Sequence, residues 1–204
     1  REPLAARGCW LGYLSSTGVY GDTGGAWVDE SAPLLGRRAD RVAADRAWLG
    51  LGARVLRLPG IYGPGRSPLS RVADGSAHRV HAPGQVFSRV HVDDIAAGVA
   101  AAMDAPAGAY NLSDDLPASQ NDVVAFAAGL LGLPVPPFVP LDSLSPMARG
   151  FWSENRRVAN GRAKRVLGWR PAYPDYRLGL RALNATTMPA SDNAAPSAAS
   201  ADQR

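Results

Sequence analysis

The sequence is poor in cysteine and has no long hydrophobic run. Cys9 is the single cysteine among 204 residues, which excludes an internal disulfide and favours a reducing compartment. No apolar run approaches the ~20 residues that a membrane-spanning helix needs, and the opening segment REPLAARG lacks the apolar core of a signal peptide. We therefore expect a cytoplasmic protein that has no membrane partner.

The positive charge is not arranged as in a nucleic-acid-binding protein. The formal net charge is +4, and arginine supplies nearly all of the basic residues. These arginines alternate with carboxylates, as in Asp40-Arg41 and Asp45-Arg46, and form no stripe with aromatic side chains. Basic charge alone mainly affects solubility and weak, non-specific contacts, so we expect no nucleic-acid partner.

Metal-ligand spacing is also missing. The histidines His78, His81 and His91 are accompanied by no cysteine or carboxylate at the spacing of a metal site. We expect His91 to pack or hydrogen-bond locally, and Asp93 and Asp94 to cap the helix that follows them. No metal is predicted.

Strand and helix patterns alternate along the chain. Apolar runs followed by turn residues predict strands at 10–16, 53–60, 88–92 and 109–114. Amphipathic spacing and capping residues predict helices at 38–52, 93–106, 119–134, 160–167 and 173–183. Strands that alternate with helices over long connections indicate an α/β domain whose sheet is mostly parallel.

Two excursions and a tail complete the predicted organisation. Residues 62–90 and 112–157 are expected to leave the sheet and to build a small substrate-capping region. Residues 1–183 form the predicted domain. Residues 184–204 have almost no bulky apolar side chain to offset their ordering entropy, so this segment is predicted to be a disordered tail.

Two glycine-containing loops follow neighbouring predicted strands. The first strand ends in SSTGVYG, and the second ends in LPGIYGPG. In open α/β sheets, ligands bind outside the carboxyl ends of the strands. Each loop alone is also explained as an ordinary turn, but the two together favour a ligand-binding crevice.

These motifs resemble those of a known family. SSTGVYGD, VDESAP, RLPGIYGPGR, RVHVDDIAAG, YNLSDD and LGWRPAYPDYRLGL occur across residues 10–183, in the order seen in extended short-chain dehydrogenases/reductases, the NAD-dependent epimerase/dehydratase family. The resemblance implies the C-terminal part of a Rossmann-like, doubly wound, mostly parallel sheet with a small substrate-capping region. It also implies NAD or NADP as cofactor and a sugar-nucleotide-like or other small carbonyl or alcohol substrate. A homodimer is a further implication, with Trp48 as a candidate contact.

The resemblance assigns the substrate-contacting residues. Ser16, or Thr17 in its place, is expected to be the catalytic hydroxyl that hydrogen-bonds the reacting oxygen. Tyr20 is expected to contact the substrate. Arg66 and Arg89 stand where family members hold an anionic group, a role that suits the guanidinium fork; the alternative for both is a surface arginine.

The resemblance also assigns the cofactor-contacting residues. Ser15 is expected to contact the cofactor from the tip of the first strand. Pro59, Gly60, Ile61 and Tyr62 are expected to lie beside the nicotinamide, where glycine permits close approach of the backbone.

The family's Tyr-x-x-x-Lys pair is replaced in this sequence. Arg37 stands at the tyrosine position and Arg41 at the lysine position, and no tyrosine occurs between Tyr20 and Tyr62. Arginine, with a pKa above ~12, cannot act as a general acid or base near neutral pH. Arg41 is expected to bind a ribose or phosphate of the cofactor, the alternative being a solvated helix face. The sequence therefore resembles atypical members that keep the fold and lose the tyrosine.

The dinucleotide fingerprint G-x-G-x-x-G is absent. The family carries it several strand–helix units upstream, and at ~30 residues per unit this implies about 90 further residues. We therefore expect an N-terminally truncated chain that binds NAD(P) weakly or not at all by itself. The predicted function is that of an NAD(P)-dependent oxidoreductase or epimerase; the alternative is a non-catalytic NAD(P)-binding regulatory or scaffold protein.

Overall fold

The computed structural model describes residues 9–187. The strands are β1 (Gly12–Ser16), β2 (Trp27–Val28), β3 (Arg54–Leu58), β4 (Gly60–Tyr62), β5 (Arg79–Val80), β6 (Arg89–His91), β7 (Gly108–Asn111), β8 (Phe138–Val139) and β9 (Arg157–Val158). The α-helices are α1 (Ala39–Gly50), α2 (Pro68–Ala73), α3 (Val92–Ala101), α4 (Gln120–Leu131), α5 (Pro146–Trp152), α6 (Gly161–Val166) and α7 (Tyr176–Thr187). Short 3-10 helices occupy Thr17–Tyr20 and Leu141–Ser143.

The central sheet is parallel and has the strand order β1-β3-β7. Helix α1 connects β1 to β3 and packs on both strands. At the carboxyl edge, Ser16 lies opposite Leu58 in the register of β1 with β3. The four predicted strands match β1, β3, β6 and β7 to within a few residues. The predicted α/β class with a mostly parallel, Rossmann-like sheet is confirmed.

A second group of elements, here called the capping lobe, consists of α2, α4, α5, α7 and the strand pairs β4–β6 and β5–β8. Its core joins buried side chains of β4, α2, α4 and α7, among them Tyr62, Leu69, Val123 and Leu180. The predicted excursions supply much of this lobe, because 62–90 contains α2 and 112–157 contains α4 and α5. The capping role of these segments stays a prediction.

Helix α4 begins with a serine cap, whereas helix α3 does not begin as predicted. Ser119 caps α4, accepting a hydrogen bond from the Asp122 amide at 3.0 Å. The predicted caps of α3 are wrong: the helix begins one residue earlier, and His91 Nδ1 accepts from the Asp93 amide at 3.2 Å. The Asp94 carboxylate instead accepts hydrogen bonds from the amides of residues 172 and 173, so it joins the helix to a distant loop.

The C-terminal end of the described chain is helical. Helix α7 extends through Thr187, so residues 184–187 of the predicted tail are ordered, while 188–204 lie outside the described residues and the tail there stays a prediction. Trp48, the candidate dimer contact, stacks on Tyr13 with ring centroids 5.5 Å apart, and the homodimer also stays a prediction. Between residues 9 and 187, no helix is long and apolar enough to span a bilayer.

Candidate active site

A buried chain of polar side chains lies directly beneath the tip of β1. Ser15 donates to Asp45 Oδ2 at 2.6 Å, and Arg57 donates through Nη2 to Asp45 Oδ1 at 2.8 Å and through Nε to Oδ2 at 3.1 Å. Arg57 Nη1 also donates to the Tyr20 hydroxyl at 3.0 Å. That hydroxyl in turn donates to Asn111 Oδ1 at 2.7 Å. All five residues are at most 4% exposed. The network therefore joins α1 to the central strands.

Two predicted site residues, Ser15 and Tyr20, belong to this network. Their hydroxyls are occupied by buried partners, and burial raises the pKa of Tyr20 above its ordinary value. The structure does not bring either hydroxyl to the open edge of the sheet, where cofactor and substrate contacts are predicted. For Ser15 the reason is the alternation of side chains along a strand, which turns it inward and Ser16 outward.

Ser16 ends β1 at the carboxyl edge of the sheet. Its Oγ accepts a hydrogen bond from the Gly18 amide at 3.1 Å, which leaves the hydroxyl proton for another acceptor. Ser16 is half-buried, whereas Thr17, the alternative catalytic hydroxyl, is only 4% exposed. Of the two hydroxyls, the geometry favours Ser16.

Arg156, which directly precedes β9, contacts the turn that follows β1. Its Nη2 lies 3.8 Å from the position that a Cβ on Gly18 would occupy, and Ser16 Oγ lies 3.3 Å from that same position. Nη1 of Arg156 is held by the Gly21 carbonyl and by Glu154 Oε2, each at 2.7 Å. The guanidinium of Arg156 and the hydroxyl of Ser16 therefore border the same point beside Gly18. No motif in the sequence marks Arg156 as a site residue.

Arg37 and Arg41, the residues predicted to replace the family's tyrosine and lysine, differ in their surroundings. Arg37 donates through Nε to Glu154 Oε1 at 2.6 Å and through Nη2 to the Gly150 carbonyl at 2.7 Å, which links the loop before α1 to α5. Burial would raise the pKa of Glu154, but hydrogen bonds from Arg156 and Arg37 hold it below its ordinary value. Arg41 is half-buried on α1, and within the described residues its side chain has no hydrogen-bond or ion-pair partner.

The segment after β3, which forms β4, is only partly open. Gly60 is exposed, Ile61 is 38% exposed and Pro59 is half-buried. Tyr62, in contrast, is 4% exposed and packs edge-on against His91, with ring centroids 5.1 Å apart. Of the four residues predicted to lie beside the nicotinamide, Gly60 and Ile61 are the most accessible, whereas Tyr62 is mainly part of the capping-lobe core.

A cleft of about 520 Å³ opens beside β4. It brings together five predicted site residues and three aromatic residues that no sequence motif marks. The predicted ones are Gly60, Ile61, Tyr62, Arg66 and Arg89, and the aromatic ones are Phe87, Phe151 and Trp152. The cleft therefore lies between β4, α2 and α5.

The two arginines predicted to hold an anion are not equivalent. Arg89 is 6% exposed, and its guanidinium donates to the Phe87 and Ala118 carbonyls at 2.8 and 3.0 Å and to Gln120 Oε1 at 3.0 Å. Burial lowers the pKa of Arg89 to about 10. Arg66 is exposed at the cleft and its side chain has no partner within residues 9–187. Arg66 is thus the cation available to a ligand.

Comparison with known proteins identifies relatives of the same fold. No family model matches the chain. A conserved protein of unknown function from Silicibacter pomeroyi DSS is 52% identical over 90% of this chain and 70% of its own, with a TM-score of 0.84. A 3-diazoavenalumate denitrifying reductase from Streptomyces is 33% identical over 176 residues, which are 75% of this chain and 58% of the reductase.

More distant solved structures share the fold. The ADP-L-glycero-D-manno-heptose-6-epimerase of Helicobacter pylori is 19% identical, with a TM-score of 0.73 over 89% of this chain and 61% of the epimerase. The dTDP-glucose 4,6-dehydratase of Bacillus anthracis, solved in complex with NAD, is 20% identical, with a TM-score of 0.67 over 86% of this chain and 60% of the dehydratase. The chain spans 58% of the length of the curated relatives that it matches. The chain belongs to one family with the Silicibacter pomeroyi protein, and it shares the fold of the extended short-chain dehydrogenases/reductases, the NAD-dependent epimerase/dehydratase family.

Proposed function

We propose that the protein is an NAD(P)-dependent oxidoreductase or epimerase that acts on a small carbonyl or alcohol substrate. One relative is a reductase, and neighbours of the same fold have been solved with NAD or NADPH. The observation that carries the proposal is the position of Ser16 Oγ and Arg156 Nη2, which flank one point beside Gly18.

The residues at the carboxyl edge fit the reactive end of a dinucleotide. Gly60 and Ile61 of β4 are exposed. The half-buried guanidinium of Arg41 has no hydrogen-bond or ion-pair partner in the described chain, so it is available to a ribose or phosphate. When bound, the nicotinamide supplies the hydride chemistry. The sequence contains no G-x-G-x-x-G turn for the pyrophosphate, so these 204 residues alone are expected to bind the cofactor weakly.

Ser16 and Arg156 would act on the oxygen of the substrate. The hydroxyl of Ser16 would donate its free proton as a hydrogen bond to that oxygen. The guanidinium of Arg156 would stabilise negative charge as it develops there, because preorganised donors are most effective where charge appears in the transition state. Neither arginine at the site exchanges protons near neutral pH, so we propose that the proton comes from solvent.

The second candidate is a non-catalytic NAD(P)-binding regulatory or scaffold protein. It is favoured by Arg37, which we infer replaces the family's catalytic tyrosine. Its side chain is engaged by Glu154 and by the Gly150 carbonyl of α5. Under this alternative the crevice binds the cofactor and Ser16 only caps the turn after β1.

The test compares the complete protein with its variants. NADPH oxidation is measured against a panel of aldehydes, ketones and aromatic carbonyl compounds. If the protein is an enzyme, Ser16→Ala and Arg156→Gln each lower kcat by ~100-fold, while Arg46→Gln, an exposed arginine on α1, leaves kcat unchanged. NADPH binding without turnover of any panel member, in wild type and in an Arg37→Tyr, Arg41→Lys variant, would favour the scaffold.

A further inference from the structure

We propose that Glu154 is a positioning residue, which fixes the guanidinium of Arg156 so that its Nη2 stays beside Gly18 and Ser16. The inference rests on the proposed function, because it explains how Arg156 is aimed at the oxygen of the substrate. Three observations carry it: the hydrogen bonds of Arg156, the two bonds that hold the Glu154 carboxylate, and the backbone contacts of the segment that contains both residues.

The hydrogen bonds of Arg156 leave one terminal nitrogen available. Nη1 donates to the Gly21 carbonyl and to Glu154 Oε2, each at 2.7 Å. A terminal guanidinium nitrogen carries two hydrogens, so both hydrogens of Nη1 are engaged. Nη2 donates no hydrogen bond within residues 9–187, and it lies 3.8 Å from the position that a Cβ on Gly18 would occupy. Because the group is planar and rigid, holding Nη1 also fixes Nη2.

The Glu154 carboxylate is itself held on two sides. Oε1 accepts from Arg37 Nε at 2.6 Å, and Oε2 accepts from Arg156 Nη1 at 2.7 Å. Its side chain is only 9% exposed. Burial alone would raise the pKa of Glu154, but hydrogen bonds from Arg156 and Arg37 bring it below the ordinary value, so the carboxylate is ionised at neutral pH. Since the two bonds use different oxygens, Arg37 restricts the direction in which Glu154 presents Oε2 to Arg156.

The backbone beside Glu154 is fixed independently of the carboxylate. The carbonyl of Asn155, the next residue, accepts from the Thr23 and Gly25 amides at 3.1 and 2.9 Å. The amide of Asn155 donates to Asp22 Oδ1 at 2.8 Å. These contacts hold the segment against the residues that follow β1. Replacing Glu154 with Gln should therefore release the guanidinium of the neighbouring arginine and leave the backbone in place.

The first test measures the restraint on Arg156 in the 204-residue chain, without cofactor or substrate. NMR of the nitrogen-labelled chain follows rotation about the Cζ–Nη bonds, and the signals of Arg156 are those that an Arg156→Gln variant lacks. Glu154→Gln removes the charge-assisted bonds and should accelerate this rotation at least ~5-fold. The control Asp22→Asn removes a charge beside the same segment, keeps an oxygen for the Asn155 amide and should leave the rotation unchanged.

The second test measures turnover by the complete protein, with NADPH and the compound of the carbonyl panel that the wild type reduces fastest. Glu154→Gln should lower kcat by ~10-fold, because a misplaced donor loses much of its effect, and should change KM by less than ~2-fold. In an Arg156→Gln background the same change should lower kcat by less than a further ~2-fold, because residues that act through one another are not additive. Asp22→Asn should change neither kcat nor KM.

The contrary results separate this proposal from the proposed function. Rotation of the Arg156 guanidinium that is as slow in Glu154→Gln as in the wild type would overturn the positioning role. A full ~10-fold loss of kcat in the Arg156→Gln background, or equal acceleration of the rotation by Asp22→Asn, would overturn it as well. If the wild type reduces no compound of the panel, the proposed function fails, and the guanidinium rotation alone decides whether Glu154 fixes Arg156.

Discussion

Asp45 and Arg57 form an ion pair that is closed to solvent, with side chains 0% and 2% exposed and Nη2 of Arg57 2.8 Å from Oδ1 of Asp45. The pair joins α1 to β3 and is completed by Ser15 and Tyr20. Breaking one partner leaves an uncompensated buried charge, which costs more than the pair contributes. We therefore regard this pair as the main polar support beneath the candidate active site.

Replacing Arg57 with Met should destabilise the protein by ~3–5 kcal/mol, because the Asp45 carboxylate is then buried without a cation. The measurement is the free energy of unfolding in urea. Lys164→Gln serves as the control, since its ion pair with Asp115 is partly exposed and should change stability by less than ~1 kcal/mol. An equally small effect of Arg57→Met would contradict the assigned role. A double Arg57→Met, Asp45→Leu variant should recover part of the loss.

Asp114 should make the stability depend on pH. Burial raises the pKa of its carboxyl to about 8. The charge of Arg89 lowers this pKa, whereas repulsion from Asp115 and Asp175 raises it further. Both carboxylate oxygens are buried without a hydrogen-bond partner in the described chain. Because the folded state holds the proton more tightly than the unfolded chain, whose Asp pKa is ~3.9, the stability contribution falls as the pH rises from about 4 to about 8.

The corresponding variant is Asp114→Asn, which cannot ionise. It should be more stable than the wild type at pH 9 by at least ~1 kcal/mol and should lose most of this advantage near pH 4. Thermal unfolding measured across this pH range gives the comparison. If the wild type and Asp114→Asn show parallel pH profiles, the carboxyl is not protonated in the folded protein at neutral pH.

Gly179 on α7 is required by the packing of Tyr62. A Cβ at this position would overlap the Tyr62 hydroxyl and ring, so Gly179→Ala should destabilise the protein by ~1–3 kcal/mol. Gly129 on α4 is the matched control, because a Cβ there meets open space, and Gly129→Ala should be neutral or stabilising by up to ~1 kcal/mol. Chemical denaturation of both variants checks the pair, and similar losses in the two would refute the packing argument.

Arg37 should hold α5 against the edge of the sheet. Arg37→Gln removes its bonds to Glu154 and to the Gly150 carbonyl, and amide hydrogen exchange in α5 should then accelerate by ~5- to 10-fold, while exchange in α4 stays unchanged. Because its side chain is 54% exposed, global stability should change by less than ~1 kcal/mol. Unaltered exchange in α5 would show that the bridge does not restrain the helix.

The sheet and helices could be predicted because their signals are local. Apolar runs that end in loops containing glycine or proline predict β1 and β3. A serine at its start and a glycine at its end predict α4. The difference in exposure between Ser15 and Ser16 is also predictable, because neighbouring residues of a strand face opposite sides of the sheet. The same alternation separates exposed Ile61 from buried Tyr62.

The missing parts of the candidate site depend on distant contacts. Arg156 reaches Gly18 and Ser16 only after the sheet and the capping lobe have formed, and no motif around it indicates this contact. The buried state of Arg89 likewise results from carbonyl groups in two other segments. Local patterns predict elements, but they do not predict which elements meet.

The central claim is that Ile61 and Ser16 border the position of the nicotinamide, and intermolecular NOEs in the complete, methyl-labelled protein bound to NADPH test it most directly. The account predicts NOEs from the nicotinamide ring protons to the methyl groups of Ile61, and their loss in an Ile61→Ala variant. Nicotinamide NOEs to methyl groups elsewhere, with none to Ile61, would contradict it.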